Sequence, residues 1–184
     1  MVESLETYPK QTFRNRAYIQ SANGPLSINV PIIREKNTRI KTSEARISYK
    51  EDWNIRAFRT ICSAYGKSPF FEFYEEEIKA FFYDKYDKLF DLNLDILSYF
   101  KRRFLINTEI TITKDYQKPI SDLDFRCKFP VNPTNINPRP SPKLKPYIQC
   151  FSGKLGFTKN LSSIDLLFNM GKESAIYINN SNLN

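Results

Sequence analysis

Histidine is absent from all 184 residues. Imidazole is the usual general base near neutral pH and the commonest metal ligand. Its absence therefore excludes Ser-His-Asp and Cys-His triads and every histidine-bearing zinc site. Cysteine is scarce: Cys62, Cys127 and Cys150 are an odd, widely spaced three, which offers neither a disulfide framework nor a four-cysteine zinc site and points to a reducing, cytoplasmic setting. Glycine is scarce too, with five residues and no Gly-x-Gly-x-x-Gly or Walker arrangement, so a phosphate loop of those types is missing. Nowhere do about 18 apolar residues run together, and the first residues carry Glu3 and Glu6 in place of an apolar stretch; neither membrane insertion nor a secretory leader is expected. Chemistry is left to carboxylates, lysine, tyrosine, cysteine or backbone groups, with no metal or cofactor expected.

What the chain does have is positive charge and aromatic rings. Lys and Arg number 28 against 20 Asp and Glu, a net charge of +8, and 41% of residues are hydrophobic, enough for one domain spanning 1–184 with its own core. The basic excess is compatible with nucleic acid, an anionic membrane face or a phosphorylated substrate. Aromatic residues make up 15% and could offer stacking surfaces to RNA, but they fall at core-like helical spacings, which ranks nucleic acid low among partners.

The pattern predicts an α+β fold, with α/β as the alternative: a small mixed sheet, three or four helices and a long proline-rich loop. Residues 16–20 and 26–31 flank Asn23-Gly24, a hairpin signal, and 44–49 alternates like a strand. A helix is expected after Ser48-x-x-Glu51, read as a capping box, and is closed by Gly66; Trp53, Ala57, Ile61 and Tyr65 share one face. Ser68-Pro69 restarts an aromatic helix, and a third is expected over 89–105. Its basic end, Lys101-Arg102-Arg103, suits the helix macrodipole. Residues 109–114 read as a strand. Seven of the eleven prolines lie in 115–146, which reads as an extended loop. Beyond it the expectations are a strand at 147–151, a turn at 153–156, a helix at 161–170 capped by Asn160, Ser162 or Ser163, and a final strand at 175–178.

The sharpest local feature is Tyr8-Pro9-Lys10-Gln11-Thr12-Phe13-Arg14-Asn15-Arg16. If this stretch is extended, Arg14 and Arg16 share a face and form a fork for phosphate or carboxylate oxygens, with Asn15 on the other. The alternative is that these residues are solvated or pair with Glu3 and Glu6.

Glu3, Glu6, Tyr8, Lys10, Gln11, Thr12 and Arg14-Asn15-Arg16, followed by Asn23-Gly24 and 26–31, form an ordered series. It continues through Trp53 to Tyr65, the run from Ser68 to Tyr74, 89–93 and 156–169, and it resembles the WbqC-like family of bacterial proteins. The resemblance implies an accessory role in surface polysaccharide (O-antigen, lipopolysaccharide) biosynthesis, acting on an activated or amino sugar. A nucleotide sugar or sugar phosphate would then be held by Lys10, Arg14, Asn15, Arg16, Trp53 and Tyr65, with Glu3 or Glu6 as acid/base groups. Two departures stand out. Relatives usually begin further upstream, so an additional first element is expected before Met1. Relatives also tend to carry histidine where this chain has Ala57, one turn from Trp53, which keeps open a noncatalytic sugar- or partner-binding paralogue.

Overall fold

Gly24, at φ +110°, lets the chain reverse between β1 (Arg16–Ser21) and β2 (Gly24–Asn29), because an L side chain is strained at that angle. The two strands pair antiparallel, from Ser21 opposite Gly24 to Arg16 opposite Asn29. The connection is Ala22-Asn23, one residue earlier than the Asn23-Gly24 pair suggested, and of that pair the glycine alone takes positive φ. The computed structural model describes residues 1–9, 12–33, 39–119 and 145–181. Among them this hairpin is the sheet, and six helices complete an α+β fold: α1 (Trp53–Tyr65), α2 (Phe71–Tyr83), α3 (Leu89–Arg103), α4 (Ser152–Leu155), α5 (Ser163–Met170) and α6 (Glu173–Asn180). No helix among the described residues is long and apolar enough to cross a membrane.

The first three helices form where three- and four-residue spacing concentrates apolar side chains on one face. Trp53, Ala57, Phe58, Ile61, Ala64 and Tyr65 are buried on α1, Phe71, Tyr74 and Ile78 on α2, and Leu89, Leu92, Tyr99 and Phe100 on α3. Gly66 ends α1, but not through a left-handed turn: its φ is −57°, and glycine is needed because a Cβ there would lie 2.7 Å from the Cys62 carbonyl oxygen. The predicted capping box does not form. Asp52 is the N-cap without a side-chain bond, and Glu51 turns instead to Arg56 at 2.8 Å. The basic end of α3 does more than complement the macrodipole, since Arg103 pairs with Glu77 and lies over the rings of Tyr74 and Tyr99.

Four predicted strands resolve differently. Residues 44–49 follow a 3-10 turn (Thr42–Glu44) and make only isolated bridges, Ile47 to Ile32 and Arg46 to Lys88. Residues 109–114 contribute a single parallel bridge, Ile112 to Val2, because the segment facing them offers no longer run to pair with. At 147–151 the backbone finds no strand partner and the side chains of Tyr147 and Gln149 turn inward to Asp165. Residues 175–178 are helical, inside α6. The short apolar run is ambiguous by periodicity, and the Ser174 hydroxyl bond to the Leu166 carbonyl (3.1 Å) secures the α5–α6 turn. Ser162 caps α5, accepting from the Ile164 N–H. Residues 115–119 carry no regular structure, while 120–144, with most of the expected proline-rich loop and Cys127, lie outside the described residues.

The core falls into two clusters. One is built around Tyr65, Ile61, Ile78 and Phe168, and the other around Trp53, Ala57, Leu89 and Leu92. Ile28, Phe81, Phe82 and Ile96 pack against both. The seam between the clusters, where the hairpin meets α1 and α3, is where the cleft opens.

Candidate functional site

Trp53 opens α1, and the residues three, four and seven positions later, Arg56, Ala57 and Thr60, follow on its face. Across from them run the start of β1 and the end of β2. Between these elements lies a groove of about 450 Å³, bordered also by Glu51 and by Arg16 and Asn29. Behind it is a more enclosed chamber of about 220 Å³, walled largely by Phe81, Phe82, Leu92, Ile96 and Phe100. Asn15, Arg16, Ile28, Val30 and Trp53 border both spaces. Together they give the combination common in small-molecule sites, an apolar interior with a few polar groups at defined points.

The charges at this cleft are unevenly compensated. Arg14 is paired with Glu6, and Arg56 with Glu51. Arg16 donates from Nε to the neutral side chain of Asn29, and no carboxylate among the described residues lies within ion-pair distance of it. Two polar atoms of residues that border the cleft, Trp53 Nε1 and Asn15 Oδ1, are buried without a hydrogen-bond partner among the described residues, a condition that costs about 1–3 kcal/mol for each unmet group.

The structure gathers some of the sequence-predicted residues and separates others. Arg14, Asn15, Arg16 and Trp53 meet at the chamber. The two arginines do not share a strand face: β1 begins at Arg16, and Arg14 precedes it in a turn closed by the Asn15 N–H on the Thr12 carbonyl (3.2 Å). Asn93 of α3 holds that turn by donating to the Arg14 carbonyl at 2.8 Å. Glu6 borders neither space and reaches the site only through Arg14. Glu3 is turned away, accepting from Thr113 Oγ1 (3.1 Å) and the Gln117 N–H (2.9 Å), and so fastens the N-terminus to the start of the 115–119 segment. Lys10 lies outside the described residues. Tyr65 is fully buried in the other cluster and borders neither the groove nor the chamber.

Two residues that border the groove, Glu51 and Thr60, were not expected there. Thr60 shares the Trp53 helical face and was legible as such, whereas Glu51 was assigned to a cap. A further group was missed because its members are far apart in sequence. Asp165 is 0% exposed and accepts from Tyr65 Oη (2.9 Å), Tyr147 Oη and Gln149 Nε2 (2.9 Å), with no cation among these partners. Burial pushes its carboxyl above the ordinary range, against the three donors, which pull it down. Burial, reinforced by the Asp165 charge, pushes the Tyr65 and Tyr147 phenols well up. Desolvation likewise raises the Cys62 and Cys150 thiols, keeping them protonated and poor nucleophiles at neutral pH.

A family model described as the WbqC-like protein family matches residues 3–129, more than half of the chain. The match includes every cleft residue named above. The 156–169 motif lies beyond it. No curated protein and no solved structure matches.

Proposed function

The chain belongs to the WbqC-like protein family, and from that premise we propose that it acts in the cytoplasm on an activated sugar, a nucleotide sugar or sugar phosphate, as an accessory enzyme of bacterial surface polysaccharide biosynthesis. The observation that carries this reading is the Arg16 guanidinium. It borders a groove of a size to take a phosphorylated sugar and has a neutral partner, where Arg14 and Arg56 beside it each have a carboxylate. A phosphate or diphosphate seated there takes charge-assisted bonds from Arg16, with Arg56 on the opposite wall. Glu6 acts through Arg14, fixing the turn that delivers Asn15 and Arg16, and the carboxylate bordering the groove is Glu51.

Arg16→Gln is expected to weaken binding of UDP-glucose by about tenfold or more, the loss of one charge-assisted bond at about 1.5–3 kcal/mol. Titration calorimetry on the full chain checks this, with a single-stranded RNA as control. Unchanged sugar affinity, or salt-sensitive RNA binding with no response to the sugar, sinks the reading.

A specific observation favours a second reading, binding without turnover. Ala57, where the family resemblance places histidine, borders the groove, and Glu51 is tied to Arg56. On this reading a bound nucleotide sugar is recovered chemically unchanged after prolonged incubation, by mass spectrometry; any conversion that depends on the folded protein refutes it.

A further inference from the structure

Asn29 stands opposite Arg16 in the hairpin register, and Ser27 lies two residues before it on the same strand face. All three border the groove. Asn29 Nδ2 donates to Ser27 Oγ at 3.2 Å, which leaves Asn29 Oδ1 to accept from Arg16 Nε. The Arg16 side chain makes no other bond among the described residues, so its Nη1 and Nη2 are uncommitted. The Nη edge of a guanidinium presents two parallel donors, spaced to meet two oxygens of one phosphate.

Arg46 shows what an acid does to such an arginine. Its Nε donates to Asp87 Oδ1 at 2.9 Å, and the same carboxylate oxygen lies 2.8 Å from Nη2, so the charge of Arg46 is met within the fold. Asn29 has the shape of an aspartate and takes Nε in the same way, but brings no charge. We infer that Asn29 is a specificity-determining positioning residue of this cleft: it anchors Arg16 through Nε and, being neutral, leaves the Nη edge and its positive charge to one phosphate group of the ligand. An amide so placed lowers the entropy cost of ordering the arginine and does not compete with the ligand for its charge. The inference rests on the reading of this cleft as an activated-sugar site and adds the residue that reserves Arg16 for the phosphate.

The test is calorimetry of UDP-glucose on the full chain, comparing the wild type, Asn29→Asp, Asn29→Ala, Arg16→Gln and Asn29→Asp in the Arg16→Gln background. Asn29→Asp is expected to weaken binding by about tenfold or more, the scale of a lost charge-assisted bond. Its Tm should be unchanged or raised, because the substitution adds an exposed ion pair and removes no packing. In the Arg16→Gln background the same substitution should cost less than about threefold, since no guanidinium is left to neutralise. Asn29→Ala frees Arg16 without adding charge and should cost about threefold, the entropy of one side chain that the ligand must then order. This variant decides the matter if Arg16→Gln alone leaves no measurable binding. Unchanged affinity in either Asn29 variant overturns the inference, as does an equal loss from Asn29→Asp in both backgrounds, which marks simple repulsion of the ligand. In those cases the activated-sugar reading stands if Arg16→Gln alone weakens binding. Failure of the wild type to bind at millimolar concentration overturns that reading as well.

Discussion

Asp165→Ala is expected to destabilise the fold by about 3–5 kcal/mol, because it leaves the Tyr65 and Tyr147 hydroxyls without their acceptor at about 1–3 kcal/mol each and opens a cavity at a fully buried position, and to leave little folded protein if the margin is ordinary. One carboxylate serves Tyr65, Tyr147 and Gln149, which come from α1 and from the chain leading to α4. Its removal strands three buried donors at once. Gln149 keeps a bond to the Thr158 carbonyl (2.9 Å), and the Tyr65 oxygen still accepts from the Gln20 N–H (3.0 Å), so the network is weakened and not erased. Tyr147→Phe removes a single bond and should cost about 1 kcal/mol. Chemical denaturation checks both, and similar losses for the two variants would contradict the shared-acceptor role.

The same carboxylate has a pH signature of unusual sign. Its folded-state pKa lies above the unfolded value, so the folded state binds the proton more tightly. The contribution is fully present below the unfolded carboxyl range, near 3.9, and is lost as pH rises through the folded value. Relative to Asp165→Asn, which does not titrate, the wild type should gain stability on acidification from neutrality. Most paired surface carboxylates do the reverse.

Gly171→Ala is expected to cost about 2–4 kcal/mol, combining backbone strain with overpacking, and to lower Tm by several degrees for a chain of this size. Gly171 ends α5 at φ 55° and ψ −129°, a conformation L residues avoid, and its N–H closes on the Leu167 carbonyl at 2.8 Å. A Cβ there would sit 2.6 Å from Phe70, whose own N–H is bonded to the Phe168 carbonyl and cannot retreat freely. In a Phe70→Leu background the clash shrinks while the dihedral strain stays, so the penalty should fall by about half. A penalty unaffected by residue 70 would assign the whole effect to the backbone. Thermal unfolding of the four proteins in the cycle measures the split.

Local pattern carried a good part of this molecule. The three- and four-residue spacing of Trp53, Ala57, Ile61 and Tyr65 required α1, Gly24 required the hairpin, and the series from Glu3 to Arg16 pointed to the family whose model matches 3–129. The missing histidine limited the chemistry before any coordinate was known. These are properties of residues within a turn or two of one another, where backbone geometry alone decides which side chains share a face. What tertiary structure decided was of another kind. Alternation at 109–114 could not become a strand without a partner, and the apolar run at 175–178 was held as helix by α5. Arg14 was claimed by Glu6 and Arg16 was not. Tyr65, which the family resemblance implied as a ligand contact, went instead to Asp165, one hundred positions away. Burial and charge compensation depend on which distant segments meet, and no spacing within a segment encodes that meeting.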